Sequence, residues 1–314
     1  MQIVYNGVKD TRQFKSVIPA TIKELMAEDP DVVWLDADLM SCSGTNKEFG
    51  KERFIDCGIA EANMVGIAAG MSAEGWKPFA HTFAPFASRR CFDQVFLSGG
   101  YAGNSLTVVG TDPGITAAFN GGTHMPFEDM AVYRTIPGAV VVDTTDVPML
   151  RASFRIFKDT PGVKYIRTPR KDSYQVYSED TEFEIGKGIV VREGTDAVII
   201  ACGIMVHEAL QAAMKLEQQG VSVAVTDPYT VKPLDVELVR AYAQKTGTVI
   251  VAENHNKIGG LTSAVQDAIC GMPCRFGYVA IEDEYGEVGP QDYLRKRFDL
   301  TDEHIIRVYN EITR

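Results

Sequence analysis

Hydrophobic positions along the chain form short compact runs separated by stretches of helical spacing. Val32–Leu35, Phe54–Asp56, Lys77–Thr82, Leu106–Gly110, Ala139–Val142 and Val163–Ile166 have strand length and are rich in Val, Ile, Leu and Phe. Between them, Thr11–Met26 places Phe14, Val17, Ile18, Ile22 and Leu25 on one side of a helix. Helical spacing returns through Arg89, Phe92, Val95 and Phe96, and again in Phe127–Arg134 and Pro148–Phe157. Strands alternating with helices predict a mainly parallel sheet covered on both faces. A polar segment with acidic residues clustered at 178–184 then interrupts the pattern. The alternation restarts with strands Ala197–Ala201, Val221–Val225, Thr248–Val251 and Phe276–Ile281. Its helices are Val206–Gln218, Asp235–Thr246, Leu261–Cys270 and Gln291–Phe298. The expectation is an α/β chain of two doubly wound domains with mainly parallel sheets, 1–175 and 188–314, joined by a linker at 176–187.

One helix departs from ordinary amphipathic patterning. In Ile59–Ala73, Glu61 shares a face with Met64, Val65 and Ala68, so its carboxylate lies on an apolar stripe. The other faces carry Ala60, Ala62, Ile67, Ala69 and Met71, which predicts no wet side. Gly66 and Gly70 suit the close approach of another backbone. A carboxylate in such surroundings is either paired or holds its proton toward neutrality, the usual preparation for proton traffic. A cap on a neighbouring helix is the competing reading.

The formal charge of −11 over 314 residues disfavours nucleic acid and anionic membranes as partners. No apolar run is long enough to span a bilayer, and the opening residues lack the basic and apolar regions of a secretory signal, so the expected compartment is the cytoplasm. Six scattered cysteines without a C-x-x-C pair read as reduced thiols, and the five histidines form no convincing metal site.

Chemistry in open α/β sheets gathers past strand ends. Asp38 and the loop Ser41–Asn46 follow the first predicted strand. Phe83 and Phe86 follow another, and their spacing suits core plugs or a stacking wall for a flat ring. The stretch Thr111–Pro126 shows almost no regular pattern, is rich in Gly and carries Asp112, Asn120 and His124, as a functional loop would. Arg167 and Arg170 at a strand end suit a phosphate or a surface pair. Gly259-Gly260 at a helix start suits an anion or a tight turn. A Gly-x-x-x-x-Gly-Lys-Ser/Thr loop and a Gly-Asp-Gly stretch followed by Asn are both absent.

Taken in order, FIDCGIAEANMVGIAAGM, HTFAPFASRRCFDQV, GTHMPFEDMAVYR, IRTPR, TVKPLD and AENHNKIGGLTSAV resemble the transketolase family from about Arg12 to Pro290. The resemblance covers that family's pyrimidine-binding and C-terminal domains only, so the chain is similar to the second half of a split transketolase. It implies thiamine diphosphate as cofactor, with Mg2+ and the diphosphate held by a separate N-terminal subunit. It further implies a homodimer contact through the pyrimidine domain, within a heterotetramer. No metal ligand is expected in this chain.

By the same resemblance Glu61 hydrogen-bonds a ring nitrogen of the aminopyrimidine and favours the imino form that activates the thiazolium carbon. Phe83 and Phe86 form the pyrimidine pocket, with Phe86 stacking. Asp38 lies near the thiazolium. His124 contacts sugar hydroxyls, Arg170 grips the substrate phosphate, and Ser41 or Ser43 reaches it. Asp112 and Asn120 stand where bacterial and yeast transketolases usually carry His and Asp, which implies an unusual ketose phosphate. The implied activity is transfer of a two-carbon ketol unit from a ketose phosphate to an aldose. The alternatives are half of a deoxyxylulose-phosphate synthase, the beta subunit of a 2-oxo-acid dehydrogenase, or a non-catalytic regulatory homologue. A nicotinamide-dependent dehydrogenase is disfavoured, because no Gly-x-Gly-x-x-Gly follows the first strand.

Overall fold

A computed structural model describes residues 3–48 and 50–314. Strands that run as unbroken apolar stretches become the centres of two sheets, because a parallel strand covered by helices is buried on both faces. Val32–Asp36, Leu106–Thr111 and Val163–Thr168 are buried at every position. The first sheet has seven strands, ordered Thr230–Lys232, Val140–Asp143, Val163–Thr168, Leu106–Thr111, Lys77–Phe83, Val32–Asp36 and Phe54–Asp56. All neighbours are parallel except Thr230–Lys232, which comes from beyond residue 188 and runs antiparallel along Val140–Asp143. The second sheet orders Arg275–Ile281, Thr248–Asn256, Ala197–Ala201, Val223–Asp227 and Ile189–Arg192, with only the last pair antiparallel.

Registration brings several strand ends together. Asp36 stands opposite His81, Phe83 opposite Thr111, and Thr111 opposite Thr168. The segments that follow these residues therefore leave the sheet along one edge. They carry Asp38, Phe86, Asp112 and Arg170.

The structure corrects several expectations. The first helix spans Phe14–Glu28, because Lys9–Gln13 is drawn into an antiparallel ribbon with Asp172–Tyr174. Residues 176–187, expected as the linker, are packed into the protein. Tyr177 and Phe183 are buried with rings 5.1 Å apart, and the Val176 and Tyr177 amides donate to Asp146 Oδ2, each at 2.8 Å. A further helix, Asp302–Thr313, follows Gln291–Arg297, capped where Thr301 Oγ1 accepts from the His304 amide.

The acid-bearing helix spans Glu61–Ala73, not Ile59–Ala73. It does have a wet side: Asn63, Gly66, Ile67 and Gly70 are exposed. A Cβ added at Gly66 or Gly70 would meet nothing within 4 Å, so neither glycine admits a backbone of this chain. The long loop is also ordered. Gly114–Asn120 and Gly122–His124 form 3-10 turns, and Asp112 and Ala118 take positive φ of 57° and 48°. The second half pins this loop, because Asn254 Oδ1 accepts from the Ile115 amide at 3.0 Å and Asn254 Nδ2 donates to Pro113 O at 3.2 Å.

Candidate functional site

Glu61 opens its helix and is 5% exposed, while Met64, Val65 and Ala68 on the same face are buried. The acid is paired, as burial requires: Arg90 Nη1 donates to Glu61 Oε1 at 2.8 Å. The charge of Glu61 adds to burial, the larger cause, in pushing the Cys91 thiol up to about 12.

Arg90 and Phe86 share a widened helical turn, Phe86–Arg90, of π type. Ser88 Oγ donates back to Ala84 O at 2.8 Å, and Tyr133 Oη donates to Ala87 O at 2.8 Å, which anchors the turn to the protein interior. The Arg90 guanidinium consequently lies 3.7 Å above the centre of the Phe86 ring. Phe83 is buried with its ring 6.1 Å from that of Phe86, and the His124 ring meets both edge-on, at 5.7 and 5.1 Å. Phe83 is thus a core plug, and Phe86 is half-buried beneath the Arg90 guanidinium.

His124 Nδ1 lies 2.9 Å from Thr123 Oγ1, so the bond within its own loop exists. Burial, then the charges of Arg90, Arg89 and Arg170, hold its imidazole below the usual range, opposed by Asp112. The ring is therefore neutral near pH 7 and can both donate and accept. Arg170 is ion-paired with Asp112 and stands 4.8 Å over the Phe83 ring. Burial raises the Asp112 carboxyl, and Arg170 resists that rise. The stretch expected as a loop, Ser41–Asn46, instead falls in a short helix, Met40–Ser43, and a 3-10 turn, Thr45–Glu48, and it brings Cys42 into the surroundings of Arg170. Asp38, Ser41 and Asn120 are exposed, and the Asp38 amide donates to Asp56 Oδ1 at 3.0 Å. Ser43 is buried, hydrogen-bonded to Asp36 and Thr45.

The two arginines of IRTPR do not form a phosphate pair. Arg167 is fully buried, 2.8 Å from both Asp129 and Asp143, and donates to Asn254 O. Gly259-Gly260 holds no outside anion either, because the buried Glu253 carboxylate accepts from the Leu261 and Thr262 amides at 2.7 and 2.8 Å.

Two groups lay outside the sequence expectations. Arg90 was signalled only by the Arg89-Arg90 pair inside an otherwise apolar run. The second group is a buried relay. His81 Nδ1 lies 2.8 Å from Asp36 Oδ2 and Nε2 lies 3.1 Å from Thr111 Oγ1, with Trp34 stacked on the ring at 5.3 Å. It ties the start of the Asp112 loop to the strand that leads to Asp38. Among the described residues no group of His, Cys, Asp and Glu side chains is arranged to hold a metal ion, and no helix is long and apolar enough to cross a membrane.

The family pattern described as "Transketolase, pyrimidine binding domain" matches residues 10–175, and "Transketolase, C-terminal domain" matches residues 186–305. The chain is 47% identical over 296 residues to a protein of Clostridium sp. (strain MSTE9) named 6-deoxy-6-sulfo-D-fructose transketolase subunit SqwH, covering 92% of this chain and 91% of that one. It is 34% identical to one of the subunits of the apulose-4-phosphate transketolase of Phocaeicola vulgatus, covering 94% and 95%. A solved structure described as "Split gene transketolase, inactive beta4 tetramer" superposes with a TM-score of 0.89 at 35% identity, covering 96% of this chain and 98% of that one.

Proposed function

The chain belongs to the transketolase family, and on that premise we propose that it is the C-terminal subunit of a split, thiamine-diphosphate-dependent transketolase. The reaction is transfer of a two-carbon ketol unit from an anionic ketose to an aldose acceptor. One observation carries this reading: a buried acid, Glu61, is joined to the half-buried ring of Phe86 through one flat group, the Arg90 guanidinium, which bonds the first and covers the second. That donor set suits a flat nitrogen heterocycle, since the aromatic face takes the ring and the carboxyl group takes a ring nitrogen.

Glu61, Phe83 and Phe86 would hold the aminopyrimidine, and Asp38 would lie toward the thiazolium. When bound, the cofactor supplies a carbon nucleophile for making and breaking carbon–carbon bonds. The residues of this chain do the rest. Glu61 fixes the protonation of the ring nitrogen. His124, neutral and half-buried, hydrogen-bonds a sugar hydroxyl. Asp112 and Asn120 read the sugar's stereochemistry, and Arg170 with Ser41 meets its anionic end. The proposed division is a ring-binding unit at 1–175 and a second unit at 188–314, across 176–187. Mg2+ and the diphosphate belong to an N-terminal partner subunit, in a cytoplasmic heterotetramer whose homodimer contact runs through the pyrimidine-binding unit.

The relatives are named for 6-deoxy-6-sulfo-D-fructose and for apulose-4-phosphate, which supports a donor outside the common pentose phosphates. The test reconstitutes the chain with its N-terminal partner and offers 6-deoxy-6-sulfofructose, ketose phosphates and pyruvate separately. Ketol transfer from a sulfonated or phosphorylated ketose, without CO2, is expected. Turnover of pyruvate with CO2 release, and none of the ketoses, would transfer the chain to the decarboxylating branch.

A further inference from the structure

Arg90 stands where the cofactor ring must go. Its Nη1 donates to Glu61 Oε1 at 2.8 Å, and its planar guanidinium covers the Phe86 ring at 3.7 Å. A ring that stacks on Phe86 while bonding to Glu61 competes for the covered ring face and for the same carboxylate, whose Oε1 Arg90 takes. A guanidinium is itself a flat, delocalised group with N–H donors along its edge. Arg90 therefore satisfies both partners in the way an aminopyrimidine would, from within the chain.

We propose that Arg90 occupies the ring site as a stand-in for the cofactor ring and is displaced when thiamine diphosphate enters. This rests on the functional reading above. Three features make displacement feasible. The Arg90 side chain is 47% exposed, so a moderate swing carries it into water. Glu61 is 5% exposed and sits at the first turn of its helix, so it stays in place when its partner leaves. Phe86 is steadied by the edge of His124 and the tilted ring of Phe83, not by Arg90 alone.

The contact to be broken is one partly exposed ion pair plus one cation–π contact. Together these reduce cofactor affinity by about three- to thirtyfold relative to an open site. They do so on entry, because the arginine must leave before the ring can settle.

The experiment measures thiamine diphosphate binding to the reconstituted two-subunit complex with Mg2+, by calorimetry for Kd and by stopped-flow fluorescence for the rates. Arg90→Ala is expected to bind about three- to thirtyfold tighter, with the gain in the association rate and the dissociation rate unchanged. Arg90→Gln removes the charge but keeps a planar side chain, and it should move in the same direction by less. It also serves if the alanine variant fails to assemble. An unchanged Kd in both variants, or weaker binding through faster dissociation, overturns the proposal, the latter by placing Arg90 among the contacts of the bound cofactor. If the wild-type complex and both variants all fail to bind thiamine diphosphate, the functional reading itself falls and this inference with it.

Discussion

Replacing Glu61 by Gln separates chemistry from stability, because the structure bounds the stability cost. The substitution is close to isosteric and leaves the apolar face with Met64, Val65 and Ala68 intact. It removes the charge paired with Arg90, whose side chain is 47% exposed, so that pair contributes only about 0.2–1 kcal/mol. It also removes a negative charge from the first turn of a helix, a further contribution of about 0.3–1 kcal/mol. The sum stays below about 2 kcal/mol, a fall of several degrees in Tm for a chain of this size. A lost proton-transfer partner costs far more in rate, about 10²–10⁴-fold. The assay is ketol transfer by the reconstituted complex at saturating thiamine diphosphate, alongside thermal melts of the free chain. The expected result is a Tm within several degrees of wild type and turnover down by at least about a hundredfold. Turnover within about threefold of wild type would refute the role assigned to Glu61.

Three further outcomes follow from the buried polar groups and the open helix face. Arg167→Met leaves Asp129 and Asp143 without their shared cation, so chemical denaturation should register a loss of about 3–5 kcal/mol; a loss under about 1 kcal/mol would mean the pair is not structural. Burial pushes the Glu253 carboxyl up to about 7, against the amide bonds that pull it down. The folded pKa thus exceeds the unfolded one, the native state holds the extra proton between roughly pH 4.5 and 7, and this group's contribution to stability falls as pH rises through that window. Glu253→Gln lacks this slope, so its cost relative to wild type should shrink between pH 5 and 8; a cost that grows with pH would contradict the assignment. Gly70→Leu should leave the melting of the free chain within about 1 kcal/mol of wild type, since nothing beyond the neighbouring backbone of its own helix lies within 4 Å of the added Cβ, yet weaken subunit assembly in sedimentation; assembly at wild-type strength would show that nothing packs there.

The parallel strands were legible because burial on both faces writes them as unbroken apolar runs, as in VVWL and AVIIA. The edge elements were not. Lys9–Gln13 is a polar pentapeptide whose partner lies at Asp172–Tyr174, and Thr230–Lys232 is three residues long and pairs across the boundary between the halves. Neither carries a local period. The Asp302–Thr313 helix does carry one, with Ile305, Val308 and Ile312 behind the Thr301 cap, yet the expected elements stop at Phe298. At the site, the position of Glu61 on an apolar stripe is a local property and can be read from spacing. Its pairing with Arg90 depends on how a π-type turn aims a side chain 29 residues away. Arg167 and Arg170 look alike in IRTPR, but one ends inside a strand between two buried acids and the other lies past its end. That difference is set by the depth of neighbouring layers, which a linear pattern does not record.

The antiparallel strand Thr230–Lys232 has a consequence for synthesis. Val140–Asp143 leaves the ribosome with one side of its backbone uncovered, and the piece that seals it is translated only after most of the second unit's opening strands and helix. Until then the nascent protein presents an unsealed β-edge, a template on which neighbouring chains can align. A fragment cut at the acidic stretch near residue 180 would keep that edge permanently bare and should be prone to self-association, so the N-terminal unit completes its fold only once the later part of the chain has been made.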